Sequence, residues 1–124
     1  MKLRNSILIM STEIRQYILE YNRVIAYHGG PRPIRRFDRN LAAQGVFWFT
    51  EDKDKIKRGE SGAYNSKYIM TVELNIKKPA GWYLYDKLGL GQIEDAGYDS
   101  IKLDDDWVIF DPKNIKVIKT ESIK

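Results

Sequence analysis

The sequence predicts an α+β fold built from roughly six or seven short strands and two or three short helices. Runs rich in β-branched and aromatic residues recur along the chain, and Gly, Pro and Asp turn signals separate them. The 124 residues suffice for one domain that buries about two thirds of the surface of its unfolded chain. Because no internal repeat and no linker divides the chain, we expect a single domain over residues 1–124.

The chain begins with a predicted helix and a predicted strand. Ser11 or Thr12 can cap a helix whose apolar residues recur at helical spacing as far as Tyr21. Residues 24–28 have the pattern of a buried strand, and a Gly-Gly-Pro turn ends it. The loop that follows carries four arginines: Arg32, Arg35, Arg36 and Arg39.

The middle of the chain predicts two further strands with a helix between them. Residues 45–50 predict a short aromatic strand, and the charged segment after it predicts a brief exposed helix that ends near Gly59. Residues 68–76 alternate between apolar and polar side chains well enough to be the longest strand, and Pro79 follows its end.

The last third of the chain predicts an edge strand, a helix and a hairpin. Residues 82–85 predict the edge strand, and residues 86–96 predict a weak helix that two glycines interrupt. Residues 100–103 and 107–110 flank three aspartates and predict a hairpin. Residues 115–118 predict the final strand.

Composition narrows the classes of site and partner. With no cysteine and one histidine, the chain lacks the ligands of a thiolate zinc site or a histidine-rich metal centre, so we expect no metal. The apolar stretch at residues 7–10 is too short for a signal-peptide core or a membrane span, so we expect a soluble, cytoplasmic protein without a membrane partner. The net charge of +4 favours an anionic partner, such as nucleic acid, an acidic protein surface or a dinucleotide.

Three sequence blocks point to a family. Residues 27–30 read Tyr-His-Gly-Gly, residues 45–50 read Gly-Val-Phe-Trp-Phe-Thr, and residues 97–112 run from Gly-Tyr-Asp through three aspartates into Trp-Val-Ile-Phe-Asp-Pro. In this order they resemble the ADP-ribosyltransferase superfamily, above all its small phage and polyvalent-protein members of the histidine-tyrosine-glutamate class. The resemblance spans roughly residues 24–118 and implies a split β-sandwich of two small sheets with short flanking helices.

The same resemblance implies an activity. Such a protein cleaves NAD, as its substrate, and transfers ADP-ribose to a macromolecular acceptor, with protein favoured over nucleic acid. It also implies a phage or bacterial effector that acts in the cytoplasm of a host.

The resemblance assigns a role to each block. His28 binds the ribose on the adenosine side, and Gly29 offers its backbone to the nicotinamide carboxamide, since the lack of a Cβ lets a ligand approach closely. Trp48 stands where the class has tyrosine and keeps an aromatic face for stacking. Asp106 stands at the catalytic glutamate, where a carboxylate stabilises positive charge at the anomeric carbon. The other implied NAD-site residues are Tyr27, Gly30, Phe49, Thr50 and Tyr64.

Each block also has a simpler interpretation. His28 can be a strand-end histidine that neighbouring backbone satisfies, the aromatic strand can be core, and three aspartates make an ordinary exposed turn. The arginines either clamp a diphosphate or form a solvated surface. Asp104 and Asp105 are alternatives to Asp106 if the hairpin register differs. Two rival functions are a basic nucleic-acid-binding module and a degenerate relative that binds NAD or a partner without chemistry.

Overall fold

The structure is a computed structural model that describes residues 22–60 and 65–123. The helix predicted between Ser11 and Tyr21 and the predicted NAD-site residue Tyr64 lie outside these residues. The described residues combine a sheet with short helices, which confirms the predicted α+β class. None of the helices they form has the length and apolar character needed to cross a membrane.

The described strands form one mixed sheet. In chain order they are β1 (Arg23–Gly30), β2 (Phe47–Thr50), β3 (Tyr68–Asn75), β4 (Pro79–Ala80), β5 (Ser100–Leu103), β6 (Asp106–Ile109) and β7 (Ile115–Ser122). Their order across the sheet is β4-β5-β6-β2-β1-β3-β7. Only the β4–β5 pair is parallel among these strands. The buried strand predicted at residues 24–28 and the alternating strand predicted at residues 68–76 are both present, as β1 and β3.

Within residues 22–60 and 65–123, three short helices and three 3₁₀ turns connect the strands. The helices are α1 (Lys53–Lys57), α2 (Trp82–Lys87) and α3 (Leu90–Asp95), and the turns are Arg39–Leu41, Ala43–Gly45 and Pro112–Asn114. The edge strand predicted at residues 82–85 is wrong, because α2 occupies these positions. Gly81 is the residue before this helix, and its Leu84 and Tyr85 pack on the cluster around β5 and β6. This packing outweighs the strand propensity of the aromatic side chains.

The single helix predicted over residues 86–96 is two helices, which meet at a break. Leu88 has an extended backbone, with φ of −125° and ψ of 157°, and Gly89 precedes the first turn of α3. The side chain of Gln92 accepts a hydrogen bond from the N–H of Gly89, which fixes the start of α3. Its buried Ile93 packs against the sheet beside Ile101 and Val108.

The sheet has an apolar cluster on each side. Side chains from β1, β2, β3 and β6 form one cluster, which Phe37 from the arginine loop covers. Side chains from β5 and β6 form the second cluster under α2 and α3. A small third cluster places Ile56 of α1 on Ile69 of β3, with Tyr27 beside it. The arginine loop and α1 therefore approach the sheet from positions next to β1.

The sheet opens between β1 and β2. β1 pairs with β3 over eight residues, but it pairs with β2 only at Tyr27 and Thr50. The resemblance implies two separate small sheets, whereas the described residues form one hydrogen-bonded sheet. The pair of Tyr27 with Thr50 joins the two parts of this sheet. Beyond it the strands diverge, and the ring of Phe37 contacts His28 of β1 and Phe49 of β2.

Candidate functional site

The opening between β1 and β2 contains a cavity of about 620 Å³, which we call the cleft. This volume lies within the range of small-molecule sites. Residues of all three sequence blocks line it: His28 and Gly29, then Trp48, then Asp106. Apolar side chains of the arginine loop, with Phe37 among them, complete a wall that is largely apolar. The cleft therefore presents a largely apolar surface with a few polar groups among its lining residues.

His28 is fixed in one tautomer at the mouth of the cleft. Its Nδ1 lies 2.7 Å from the carbonyl oxygen of Trp48, and because a carbonyl only accepts, Nδ1 carries the hydrogen and donates. Burial lowers the pKa of His28 below its ordinary value of 6.5, and the bond to Trp48 opposes this shift more weakly. The ring is therefore neutral at pH 7, with Nε2 as an acceptor.

The backbone of Gly29 faces the cleft. Ile76 donates its N–H to the carbonyl of Asn22, and Lys67 donates to the carbonyl of Gly30, so even-numbered residues of β1 direct their backbone groups toward β3. Backbone direction alternates along an antiparallel strand. Gly29 consequently directs its N–H and C=O toward β2, at a level where β2 does not pair with β1. One donor and one acceptor thus face the opening.

Trp48 contributes its backbone to the site, while its ring packs on the opposite side of the sheet from Phe47 and Phe49. The carbonyl oxygen accepts the bond from His28. The indole makes an edge contact with Tyr85, whose ring centroid is 6.5 Å away, and it belongs to the apolar cluster under α2 and α3. The stacking role implied for this ring stays a prediction.

Asp106 is the aspartate of the triplet that lines the cleft. It is the first residue of β6, opposite Thr50 of β2, and its Oδ1 lies 3.5 Å from Nζ of Lys55 on α1. Asp104 occupies the hairpin turn with a left-handed φ of 59°, which aspartate tolerates, and it accepts a bond from Nε1 of Trp82 at 3.3 Å. Asp105 is exposed.

Other predicted NAD-site residues support the cleft from outside its lining: Tyr27, Gly30, Phe49 and Thr50. The buried ring of Phe49 lies 5.5 Å from that of His28. The hydroxyl of Thr50 accepts a hydrogen bond from the N–H of Asp52, the residue that caps α1. Phe49 therefore helps to hold the ring of His28 in place, and Thr50 holds α1 against the end of β2.

The arginines divide into different roles. Arg39 makes a two-pronged ion pair with Glu94, at 2.8 and 2.9 Å, and its Nε donates to the carbonyl of Gly45. The hydrogen bond to Glu94 raises the pKa of Arg39. Arg36 lines the cleft, whereas Arg32 and Arg35 are exposed and do not line it. A diphosphate clamp made of all four arginines is therefore absent from this arrangement of the described residues.

Several cleft residues of the arginine loop were not predicted from the sequence, and two of them are large apolar side chains of special interest, Phe37 and Leu41. Phe37 is 7% exposed and makes edge contacts with the rings of His28, Phe47 and Phe49. Leu41 lines the cleft and is 85% exposed. The signal that was available is a lone aromatic residue within a basic loop, because a large apolar side chain in such a segment usually packs onto the core.

The chain matches no protein-family model, and no curated protein matches it.

Proposed function

We propose that this protein is an NAD-dependent mono-ADP-ribosyltransferase with an ADP-ribosyltransferase-like fold, which transfers ADP-ribose from NAD to a macromolecular acceptor. The observation that carries the proposal is the meeting of three separated blocks at one cleft, through His28 and Gly29, Trp48, and Asp106. The blocks resemble the superfamily through their residues and their order along the chain. Their position at one cleft is a separate observation, because that order does not by itself bring them together.

The cleft offers matching groups for NAD. A carboxamide has one acceptor and a donor pair, and Gly29 presents a backbone donor and acceptor next to each other. Nε2 of neutral His28 accepts a hydrogen bond of the kind that a ribose hydroxyl donates. The apolar wall suits the planar nicotinamide ring.

Asp106 is proposed as the catalytic carboxylate. The bond between the anomeric carbon and nicotinamide breaks with its electron pair leaving on nicotinamide, and the ribose gains positive charge. A carboxylate beside this carbon stabilises that charge. The acceptor nucleophile then bonds to the anomeric carbon and releases its proton to solvent or a base. Lys55, 3.5 Å from Asp106, holds this carboxylate in place at the first residue of β6.

The direct test uses NAD labelled on the adenosine side and a bacterial lysate as the source of acceptors. We expect the native protein to transfer label to a macromolecule, and the His28→Ala and Asp106→Ala variants to lose transfer while circular dichroism shows an intact fold. Asp105→Ala is the matched control, since this exposed neighbour does not line the cleft. A folded native protein that neither binds NAD nor transfers label would refute the proposal.

The alternative function is a non-catalytic module on the same fold. The replacement of glutamate by the shorter Asp106 and of tyrosine by Trp48 favours it. NAD binding by calorimetry without nicotinamide release would support this alternative, whereas release of nicotinamide that depends on Asp106 would exclude it.

A further inference from the structure

A second cavity adjoins the cleft. It has a volume of about 410 Å³, and its lining comes from the arginine loop, the 3₁₀ turn Pro112–Asn114 and the start of β7. Arg36 and Phe37 line both cavities, so both spaces border these two residues. We call this second space the cationic cavity, because its described lining includes Arg35, Arg36, Lys113 and Lys116 and no acidic residue.

Three of the cations of this cavity, Arg35, Arg36 and Lys113, make no ion pair within the described part of the chain. The neighbouring Arg39, by contrast, is engaged by Glu94. Like charges gathered around one recess repel one another, and an anion in the recess removes that repulsion.

The chemistry of the three side chains indicates phosphate. Guanidinium groups match phosphate oxygens with two parallel hydrogen bonds, and an ammonium adds a point charge. Lys116 also belongs to the lining. It lies opposite Glu73, one residue from Ile115 and Val117 on β7, so strand alternation directs its side chain to the other face of the sheet. We therefore base the site on Arg35, Arg36 and Lys113.

We propose that the cationic cavity binds backbone phosphates of a single-stranded nucleic acid. Its cations come from two separate segments of the chain, and exposed Arg32 extends the positive surface along the loop. Such a spread suits successive phosphates better than one compact anion. The cations line a recess, which a flexible strand enters more easily than the convex, rigid surface of a duplex. This inference rests on charge and shape and does not depend on the proposed transferase activity.

The position of the cavity gives this binding a consequence for the cleft. A strand held by Arg35 and Lys113 passes beside Arg36 and Phe37, which also line the cleft. If the transferase activity is present, this geometry makes nucleic acid its acceptor class.

The test measures binding of a fluorescein-labelled single-stranded RNA of about 12 nucleotides by fluorescence anisotropy over a range of salt concentrations. The test variant is Arg35→Ser/Lys113→Ser. The control is Lys57→Ser/Lys77→Ser, which removes the same charge from exposed positions outside both cavities. We expect the test variant to bind roughly tenfold more weakly, with a salt slope shallower by about 1.4 because two phosphate contacts are lost. The control should bind like the native protein.

Other results would overturn the proposal. Equal weakening of RNA binding in both double variants would indicate a diffuse electrostatic attraction between the RNA and the whole protein surface. Unchanged RNA binding in the test variant would place the nucleic acid elsewhere on the protein. Duplex RNA that competes as well as the single strand would remove the role of the recess. NAD binding is measured by calorimetry in parallel, and its loss in the test variant would assign the cavity to the diphosphate of NAD. Failure of native protein to bind NAD would refute the transferase while leaving the RNA result intact.

Discussion

His28 donates a hydrogen bond from Nδ1 to the carbonyl oxygen of Trp48 over 2.7 Å, and this bond crosses the sheet where β1 and β2 part. From the pair of Tyr27 with Thr50, a continued ladder would place Gly29 opposite Trp48. The carbonyl of Trp48 would then accept from the N–H of Gly29. In the structure the side chain of His28 donates to that carbonyl, at a level where β1 and β2 are not paired. This bond thus ties β1 to β2 through a side chain, next to the amide proposed to bind the carboxamide.

The first prediction concerns the charge of His28. Burial lowers its pKa below 6.5, so the imidazole should titrate at a lower pH than a histidine in an unfolded chain. Because the chain has one histidine, a single ¹³C-edited NMR resonance from its ring reports the pKa directly. A midpoint at or above 6.5 would contradict the buried, neutral histidine described above.

The second prediction follows by linkage. Above about pH 7.5, His28 is neutral in both the folded and the unfolded states and its titration leaves stability unchanged. As the pH falls below about 6.5, the unfolded chain binds a proton that the folded protein binds only at lower pH, so the free energy of unfolding falls. Urea unfolding at pH 7.5 and at several pH values below about 6.5 should show this decrease in the native protein and a smaller one in His28→Gln. Equal pH dependence in both proteins would count against it.

The third prediction concerns Phe37, the residue that covers the opening. Its ring is 7% exposed and lies 5.1 Å from the ring of His28. Phe37→Ala should lower the free energy of unfolding by about 3 kcal/mol, and it should move the pKa of His28 back toward 6.5 because the imidazole becomes hydrated. Phe37→Leu is the conservative control and should cost about 1 kcal/mol. Urea unfolding and the NMR titration measure the two effects, and an unchanged pKa in Phe37→Ala would show that other groups bury His28.

The fourth prediction concerns the ion pair between Lys55 and Asp106. Its side chains are about a quarter exposed, at 25% and 23%, so solvent screens the attraction only in part. A double-mutant cycle with Lys55→Met and Asp106→Asn should give a coupling of about 0.5 kcal/mol in the free energy of unfolding. The Arg58–Glu60 pair is shorter, at 2.7 Å, but its side chains are about half exposed, and its coupling should be smaller. A larger coupling for the exposed pair would show that distance outweighs burial.

The elements of this fold were predictable from sequence where local pattern decides structure. The buried-strand pattern of β1, the alternation of β3 and the aspartate turn between β5 and β6 depend on neighbouring residues, and each element is present as predicted. Residues 82–85 were mispredicted because their aromatic side chains favour a strand, while the helix depends on packing of Leu84 and Tyr85 against distant strands. The opening between β1 and β2 could not be predicted from local sequence pattern for the same reason, since it depends on contacts of Phe37 with two strands.

The candidate site was predictable from the sequence in part. The order of the three blocks placed His28, Gly29 and Asp106 together, and all three line the cleft. The sequence alone does not decide which of the three adjacent aspartates faces the cleft, because a shift of one residue in a hairpin changes which side chain faces a cavity. Pairing of Leu103 with Asp106 sets that register and leaves Asp104 and Asp105 in the turn.

The fifth prediction separates Asp106 from its neighbour. Asp104 accepts a hydrogen bond from Trp82 and does not line the cleft, whereas Asp106 does. If Asp106 stabilises the charge that develops on the ribose, Asp106→Asn should lower kcat for nicotinamide release by roughly 100-fold, while the Kd for NAD changes less than about threefold, because the carboxylate acts mainly in the transition state. Asp104→Asn should keep kcat within about twofold of the native value, since its amide still accepts from the indole. The measurement is nicotinamide release by chromatography, with NAD affinity from calorimetry. Loss of activity in Asp104→Asn with retention in Asp106→Asn would assign the reaction to the turn and remove the cleft as its site.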